Sequence, residues 1–349
     1  MNKSPFISVI MPVRNEAAHI GRSLRAVLGQ DYPPDRIEII VADGMSTDET
    51  RDIVHSFQVK FGNLQLVDNP RGIAPSGLNA GLRHALGEII VRVDGHCEIA
   101  PDYVSRCVEH LTRENIGGVG GAIESIGETP VARMIATAMS SPFGVGGSAF
   151  RTVKGRSMFT DTVAFPAYKR SVIEKAGLFD EELVRNQDDE YNYRLRKLGV
   201  KILLASDVES RYYSRGTLRS LFRQYFQYGF WKIRVLQKHP HQMQWRQFVP
   251  FVFVLSLISL LSLTPFFKLA QWAFYVEAIL YGIANLAASV LTARRSGLRT
   301  LPLLPIAFMA LHLSYGFGFM VGLVKFRDRW RTEQFKKASP NLDTRRFPW

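Results

Sequence analysis

Four short apolar runs, at residues 6–11, 37–42, 63–67 and 89–93, punctuate the start of the chain. Each stops at a polar turn: Pro12-Val-Arg-Asn-Glu16, Asp43-Gly-Met-Ser46, Asn69-Pro-Arg-Gly72 and Asp94-Gly-His96. Short continuous runs of this kind suit strands buried on both faces of a parallel sheet. The stretches between them carry helix signals. Asn15 stands as an N-cap for a helix running to about Gln30, and Ser46 and Glu49 have capping-box spacing. Asp31-Tyr-Pro-Pro-Asp35 reads as a turn, and a helix carrying Asn79 follows Gly72. Strands alternating with helices predict a doubly wound α/β domain. Ligands of such sheets gather beyond the carboxyl ends of the strands. The polar endings at Arg14, Glu16, Asp43, Arg71 and Asp94 therefore describe a candidate nucleotide site.

The pattern changes after residue 210. Residues 211–246 hold Arg211, Arg215, Arg219, Arg223, Lys232, Arg234, Lys238 and Arg246 and no acidic residue, interleaved with Phe222, Tyr225, Phe226, Tyr228, Phe230 and Trp231. Such a stretch fits a helix in a membrane interface or a surface that stacks single-stranded nucleic acid. The apolar segments beyond it decide for the membrane. Residues 248–267, 270–293 and 301–324 are almost wholly apolar, and each is long enough as a helix to span a bilayer. The expected organisation is a catalytic domain at 1–210, interfacial helices at 211–246, a membrane domain with three hydrophobic segments at 247–325 and a basic tail at 326–349. Glu277 and His312 fall within spans and are expected to face other helices or a lipid-headgroup groove. One conflict is built in. Three crossings put the basic residues after Lys325 on the outer side, against the positive-inside rule. The prolines at 302 and 305 make the third segment the candidate for an irregular or re-entrant path.

Composition narrows the classes. The 349 residues carry a formal net charge of +13, which implies an anionic partner. The two cysteines, Cys97 and Cys107, form neither a disulfide framework nor a zinc site and fit a reducing compartment. Met1-Asn-Lys-Ser-Pro-Phe6 runs directly into the first strand, and no signal peptide is expected before it. A dinucleotide-binding oxidoreductase needs Gly-x-Gly-x-x-Gly after its first strand. Here Pro12-Val-Arg-Asn-Glu16 fills that place, and the glycines at 117–121 and 144–147 come too late.

Asp94 and His96 flank Gly95 at the end of the fourth run. A convergent carboxylate and imidazole suit a divalent cation such as Mn²⁺; a turn with a capping Asp and a solvated His is the alternative. Asp188, Asp189 and Glu190 open a later helix, where carboxylates also favour the helix dipole. Between the domains, Arg133 to Met139 reads as a short amphipathic helix. With the flexible stretch from Phe143 to Ser148, it would form an acceptor-side lid or an ordinary surface loop.

Taken together, Met11-Pro-Val-Arg-Asn-Glu16, Val41-Ala-Asp-Gly-Met-Ser-Thr-Asp48 and Val93-Asp-Gly-His96 resemble the family 2 glycosyltransferases of the GT-A fold over roughly residues 6–235. Ser140-Ser-Pro-Phe-Gly-Val-Gly-Gly147 and Arg185-Asn-Gln-Asp-Asp-Glu190 resemble the branch containing the succinoglycan glucosyltransferases. The resemblance implies an α/β nucleotide-diphospho-sugar transferase fold with a doubly wound, mostly parallel sheet. It implies that Asp43 contacts the nucleotide base, Glu16 the base or ribose, and Arg71 the diphosphate. Pro12, Arg14, Asn79 and Asp94 complete the nucleotide-sugar side, with Arg215 near the diphosphate by position alone. Asp94 and His96 match the family's Asp-x-Asp metal motif, with His96 replacing the second Asp, so Mn²⁺ should serve at least as well as Mg²⁺. Asp188 falls on the general base, with Asp189 the alternative and Gln187 in place of the usual Glu. Gln227 and Trp231 resemble the acceptor-side Gln-x-x-Arg-Trp of processive synthases, but Phe230 replaces the Arg.

The implied function is inverting, metal-dependent transfer of a sugar from a UDP-sugar, with glucose the leading donor. The acceptor is a polyisoprenyl-diphosphate-linked saccharide in exopolysaccharide or cell-surface glycan synthesis. The catalytic domain would be cytoplasmic on a multi-pass inner- or plasma-membrane protein, without nucleic acid and in the company of other polysaccharide-assembly proteins. The alternatives are a transferase making polyisoprenyl-monophosphate sugar and a non-catalytic sugar-nucleotide-binding scaffold.

Overall fold

A computed structural model describes residues 4–330, apart from residues 114 and 215. The described chain falls into two compact units, residues 4–124 with 153–213, and residues 125–152 with 214–330.

The first unit begins with β1 (Ile7–Val13), α1 (Ile20–Leu28), β2 (Ile37–Asp43), α2 (Thr50–Gln58), β3 (Leu64–Asp68), α3 (Ala74–His84) and β4 (Ile89–Arg92). It continues through β5 (Cys97–Ile99), α4 (Tyr103–Thr112) and β6 (Ile116–Ile126). Three short helices of the second unit follow: α5 (Pro130–Met139), α6 (Pro142–Val145) and α7 (Ala149–Thr152). The chain then returns as β7 (Met158–Phe159), β8 (Ala164–Lys169), α8 (Arg170–Ala176), α9 (Gln187–Lys197) and β9 (Lys201–Tyr213).

All the strands join one sheet in the order β3-β2-β1-β4-β8-β6-β9-β5, with β7 on β9. The first four are parallel, and β8 turns the direction by pairing antiparallel with β4 and β6. In the parallel half, β1, β2 and β4 are buried almost throughout and carry the apolar runs, while β3 at the edge is partly exposed and interrupted by Gln65. Register aligns Val13 with Asp43 and Asp43 with Asp68, which brings the polar strand ends to one edge. Helix α3 lies close to the sheet because Gly81 faces Ile10; a Cβ there would come within 2.4 Å of the isoleucine side chain. Ile10, Ile40, Leu78, Leu82, Ile90, Tyr168, Phe179, Tyr191 and Leu195 form one buried cluster. This cluster anchors α9, which carries Asp188, against the parallel half.

Two expected caps are absent. Helix α1 starts at Ile20, and Asn15 sits in the left-handed region at φ 54°. Its side chain accepts the Thr47 N–H (2.8 Å), and its own N–H donates to Ser46 Oγ (2.9 Å), so it ties the loop after β1 to the loop after β2. Ser46 makes no capping box with Glu49, because its hydroxyl and N–H both donate to Asp43, at 2.5 and 3.0 Å. A strand-end carboxylate competes successfully for a nearby hydroxyl.

The second unit continues with α10 (Leu218–Lys238), α11 (Val249–Leu263), α12 (Lys268–Ser296) and α13 (Leu304–Lys325). Helices α12 and α13, and α11 taken together with the turn before it from Trp245, meet the length and hydropathy needed to cross a membrane. Helix α13 is continuous. Its prolines lie before it and in its first turn, where a missing N–H interrupts nothing. The prolines therefore do not break the helix. Helices α10 and α13 approach backbone to backbone: a Cβ on Gly229 would meet Tyr315 O at 2.0 Å, and one on Gly318 would meet Phe226 O at 2.0 Å. Small residues permit such close approach of helix backbones. The stretch expected to be a flexible lid is anchored at Phe143, whose ring packs edge-on against Phe308 and His312 and whose carbonyl lies 2.8 Å from His312 Nε2.

Candidate active site

The site assembles at the carboxyl edge of β1, β2 and β4. Arg92, the last residue of β4, is a buried charge at the end of an apolar strand. Its guanidinium is satisfied by two carboxylates. Nε and Nη2 donate to the two oxygens of Asp94 at 2.9 and 3.3 Å, while Nη1 donates to Asp188 Oδ1. A planar fork with fixed donors suits this double role. Asp94 and Asp188, 94 residues apart in sequence, are thus held on one cation.

Their surroundings separate the two carboxyls. Burial raises the pKa of Asp94, but Arg92, His96 and Arg185 outweigh it and hold the group below the ordinary carboxylate value. Burial also raises Asp188; Asp94 and Asp189 add to that, and Arg92 offsets only part, leaving it above the ordinary value. Asp188 lies deep in the fold, yet 36 % of its side chain reaches solvent. A raised, accessible carboxylate beside a low, bound one is the arrangement expected of a base next to a fixed anion.

Helix α9 presents Asp188 from its first turn, after Asn186 turns the chain at φ 62°. Of its neighbours, Glu190 is buried and forms a two-point ion pair with Arg194 (2.7 and 3.0 Å), which removes it from consideration. Asp189 shares the first turn.

His96 lies beyond Gly95, with Nδ1 2.9 Å from Glu16 Oε1 and its ring edge-on to Tyr212. Gly95 has to be glycine, because a Cβ would come within 2.9 Å of Val13 and 3.1 Å of Glu16. Whether this turn suits a divalent cation is decided by its donors. The Nδ1 contact with Glu16 Oε1 leaves Nε2 as the ring nitrogen that a neutral imidazole would offer to a metal, the usual arrangement of a metal-binding histidine. Asp94 supplies a carboxylate that Arg92 engages without exhausting its lone pairs. Among the described residues no three His, Cys, Asp or Glu side chains converge as a metal cage. The donors fit a cation that takes its other ligands from phosphate oxygens.

The remaining expected residues divide into edge and scaffold. Asp43 is fully buried and accepts from Ser46 and from Arg51 (2.8 Å), which also pairs with Asp68 (2.9 Å). Its hydrogen bond to Asp43 leads the causes that raise the Arg51 pKa. Pro12 lies in β1, and Arg14 follows that strand, donating to Gly72 O (3.1 Å). Arg71 forms an ion pair with Glu181. Asn79 is buried: its amide donates to Phe179 O (2.9 Å) and Glu181 Oε1 (2.8 Å) and its oxygen accepts the Phe179 N–H (2.9 Å). In this structure Asn79 and Arg71 hold the segment before α9. Gln227 and Trp231 belong to the second unit, where Trp231 Nε1 donates to Gln227 Oε1 (3.0 Å) and Phe230 fills against Phe326. Arg215 lies outside the described residues. Sequence reading misses Arg92, Arg51 and Glu181. Only Arg92 leaves a signal, a lone charge within an apolar strand two residues before Asp94.

The family model for Glycosyl transferase family 2 matches residues 8–177. A Methanococcus voltae dolichyl N-acetyl-alpha-D-glucosaminyl phosphate 3-beta-D-2,3-diacetamido-2,3-dideoxy-beta-D-glucuronosyltransferase is 30% identical over 328 residues, covering 92% of this chain and 98% of that protein. The succinoglycan biosynthesis protein ExoA of Rhizobium meliloti (strain 1021) is 28% identical, covering 92% of this chain and 96% of its own. Among solved structures, the mannosyltransferase PcManGT of Pyrobaculum calidifontis, in complex with GDP-Man and Mn²⁺, superposes with a TM-score of 0.56 at 22% identity, covering 89% of this chain and 86% of that one. These likenesses agree with the carboxyl-edge geometry, and the chain belongs to glycosyltransferase family 2, as a glycosyltransferase with the GT-A fold.

Proposed function

We propose that the enzyme adds one sugar, with inversion, to a polyisoprenyl-phosphate-linked saccharide at the cytoplasmic face of an inner or plasma membrane, with a UDP-sugar as donor and glucose the leading sugar. The observation that carries the reading is the buried Arg92 shared by Asp94 and Asp188. It sets a carboxylate with a raised pKa beside the Asp94–His96 turn. Asp188 would take the proton from the acceptor hydroxyl as its oxygen attacks the anomeric carbon and the bond to the nucleoside diphosphate breaks. Asp43, Glu16, Pro12, Arg14 and Arg71 would face the nucleotide side, and Gln227 and Trp231 the acceptor side. A divalent cation held by Asp94 and His96 Nε2 would supply positive charge against the departing diphosphate.

The Methanococcus relative is named for an acceptor on dolichyl monophosphate and ExoA for succinoglycan synthesis. The first name supports a lipid-linked acceptor and the second a place in polysaccharide synthesis, and the number of phosphates is left to experiment. Membranes containing the protein are incubated with labelled UDP-glucose and Mn²⁺ in three parallels, on a diphosphate-linked saccharide, on a monophosphate-linked saccharide and on bare polyisoprenyl monophosphate, each beside Asp188→Asn. Label on a saccharide-bearing lipid with the wild type alone supports the proposal. Label on bare monophosphate replaces it with synthesis of polyisoprenyl-monophosphate sugar. No label from UDP-glucose moves the same test to other UDP-sugars, and no label from any of them on any of the lipids leaves the scaffold reading.

A further inference from the structure

The third apolar helix has the composition of a membrane span but not its surroundings. Of its apolar window 44% is buried within the protein, against 6% and 11% for the windows of α11 and α12. Helices α11 and α12 run antiparallel as a hairpin, with Phe253 stacked on Tyr281 and the Ser256 hydroxyl bonded to Glu277. The contacts that fix α13 on this hairpin lie at the entry and first turns of α11 and, on α12, no nearer the tip than Tyr281. Asn285 donates to Pro305 O (3.0 Å), and the Tyr281 hydroxyl lies 3.0 Å from His312. Gly316 fits against Pro250 and Val254, and Phe319 against Phe248 and Phe251.

The direction of these contacts is informative. A third crossing would run outward beside α11, with its end level with the hairpin tip at residues 264–267. Instead, the partner on α11 retreats from Val254 to Phe248 as α13 advances from Gly316 to Phe319. At the end of α13, Phe326 shares one apolar cluster with Phe230, Trp231 and Ile233 of α10 and with Met243 and Phe248, which lead into α11. Helix α10 accompanies this half of α13 in the same direction: Phe226 meets Gly318, Phe230 meets Gly322, and Gln237 donates to Phe326 O (2.8 Å). Helix α10 contains Arg219, Arg223, Lys232, Arg234 and Lys238 and no acidic residue. A helix with that many charges does not cross a bilayer centre, and α13 is held at its depth.

We infer that α11 and α12 cross the bilayer out and back, and that α13 lies across the base of this hairpin without crossing, ending on the side from which α11 departs. The apolar stretch of α12 between Lys268 and Arg294 measures about 37 Å as a helix, enough for a crossing of about 30 Å. Arg294, Arg295, Arg299, Lys325, Arg327 and Arg329 then share one side, and Lys268 alone marks the other. This removes the conflict with the positive-inside rule. The outward side chains of α13, Ile306, Met309, Phe317, Val321 and Val324, are exposed and face the acyl chains of the near leaflet.

The test is accessibility of single added cysteines in intact cells lacking an outer barrier, using a membrane-impermeant maleimide before and after permeabilisation. Cys97 and Cys107 are buried, and the unsubstituted protein measures their background. The probes are Lys268→Cys, Ser296→Cys, Arg327→Cys and Asp328→Cys, all at exposed positions. The expected result is labelling of Lys268→Cys from outside and of the other three only after permeabilisation. Labelling of both Arg327→Cys and Asp328→Cys from outside overturns the inference, because α13 then crosses. Failure of Lys268→Cys to label from outside overturns it too, because the hairpin then does not cross.

Discussion

At the scale of single residues, Arg92 is the group on which the site turns. Asp188→Asn should lower the turnover number by about 10²- to 10⁴-fold, the usual contribution of a general base, while nucleotide binding measured calorimetrically stays within a few-fold. Asp189→Asn should leave most activity; a larger loss there than at Asp188 would move the base by one residue. The pH profile depends on the raised pKa of Asp188. The active form is the ionised one, which is lost as pH falls through that raised value. The acid limb of turnover should therefore lie above the ordinary aspartate value of about 3.9. Arg92→Lys removes the fork that spans both carboxylates, so the limb should shift further toward neutral pH as the charge against Asp188 weakens. Loss of stability in Arg92→Met should stay at or below about 3 kcal/mol. Breaking a fully buried pair costs more, but Asp188 is partly screened by solvent. Glu16 acts at one remove: Glu16→Gln loosens the His96 tautomer and should weaken Mn²⁺ binding about 10- to 100-fold in a metal titration.

At the scale of elements, the sequence makes some of the fold legible and hides the rest for physical reasons. The inner parallel strands β1, β2 and β4 declare themselves because strands covered on both faces are mostly apolar, and their ends mark the edge where Glu16, Asp43, Asp94 and His96 lie. Strand β6 is concealed by Gly117, Gly118, Gly120 and Gly121, residues that weaken a strand pattern. In the fold Gly121 faces Val208 O so closely that a Cβ would sit 1.5 Å from it. The link from Asp94 to Asp188 is illegible because it is tertiary, made by an arginine whose neighbours are all apolar in sequence. Asn15 misleads because a cap residue and a left-handed turn residue share one chemistry. Between α10 and α13 the same close approach yields a prediction. Gly318→Ala should lower the thermal unfolding midpoint in detergent, at a cost of about 1–3 kcal/mol from overpacking. Gly282→Ala, in α12 with nothing within 4 Å of its added carbon, is the control and should be neutral or slightly stabilising. Equal midpoints for the two variants would mean that the helices do not meet at these glycines.

For the whole molecule, the distribution of charge assigns its partner. Residues 211–330 hold 15 Lys and Arg against 2 acidic residues, a net +13, while residues 1–210 hold 24 against 27 and are slightly acidic. The strong basicity of the chain is therefore a property of the stretch that carries the apolar helices, not of the catalytic fold that takes an anionic nucleotide. Attraction for the donor rests on local groups at the sheet edge. The long-range field instead favours an anionic bilayer surface, at about 1 kcal/mol for each cation near it. Activity in proteoliposomes should then depend on lipid charge through the acceptor and not through the donor. Replacing a zwitterionic bilayer by one with a third anionic lipid should lower the apparent KM for the lipid-linked acceptor several-fold at low salt, with the KM for the UDP-sugar unchanged. Raising the salt to about 0.5 M, where screening acts within a few ångströms, should erase the difference. If the donor KM moves instead, the basic stretch serves the nucleotide, and the division of labour between the two parts of the chain is the reverse.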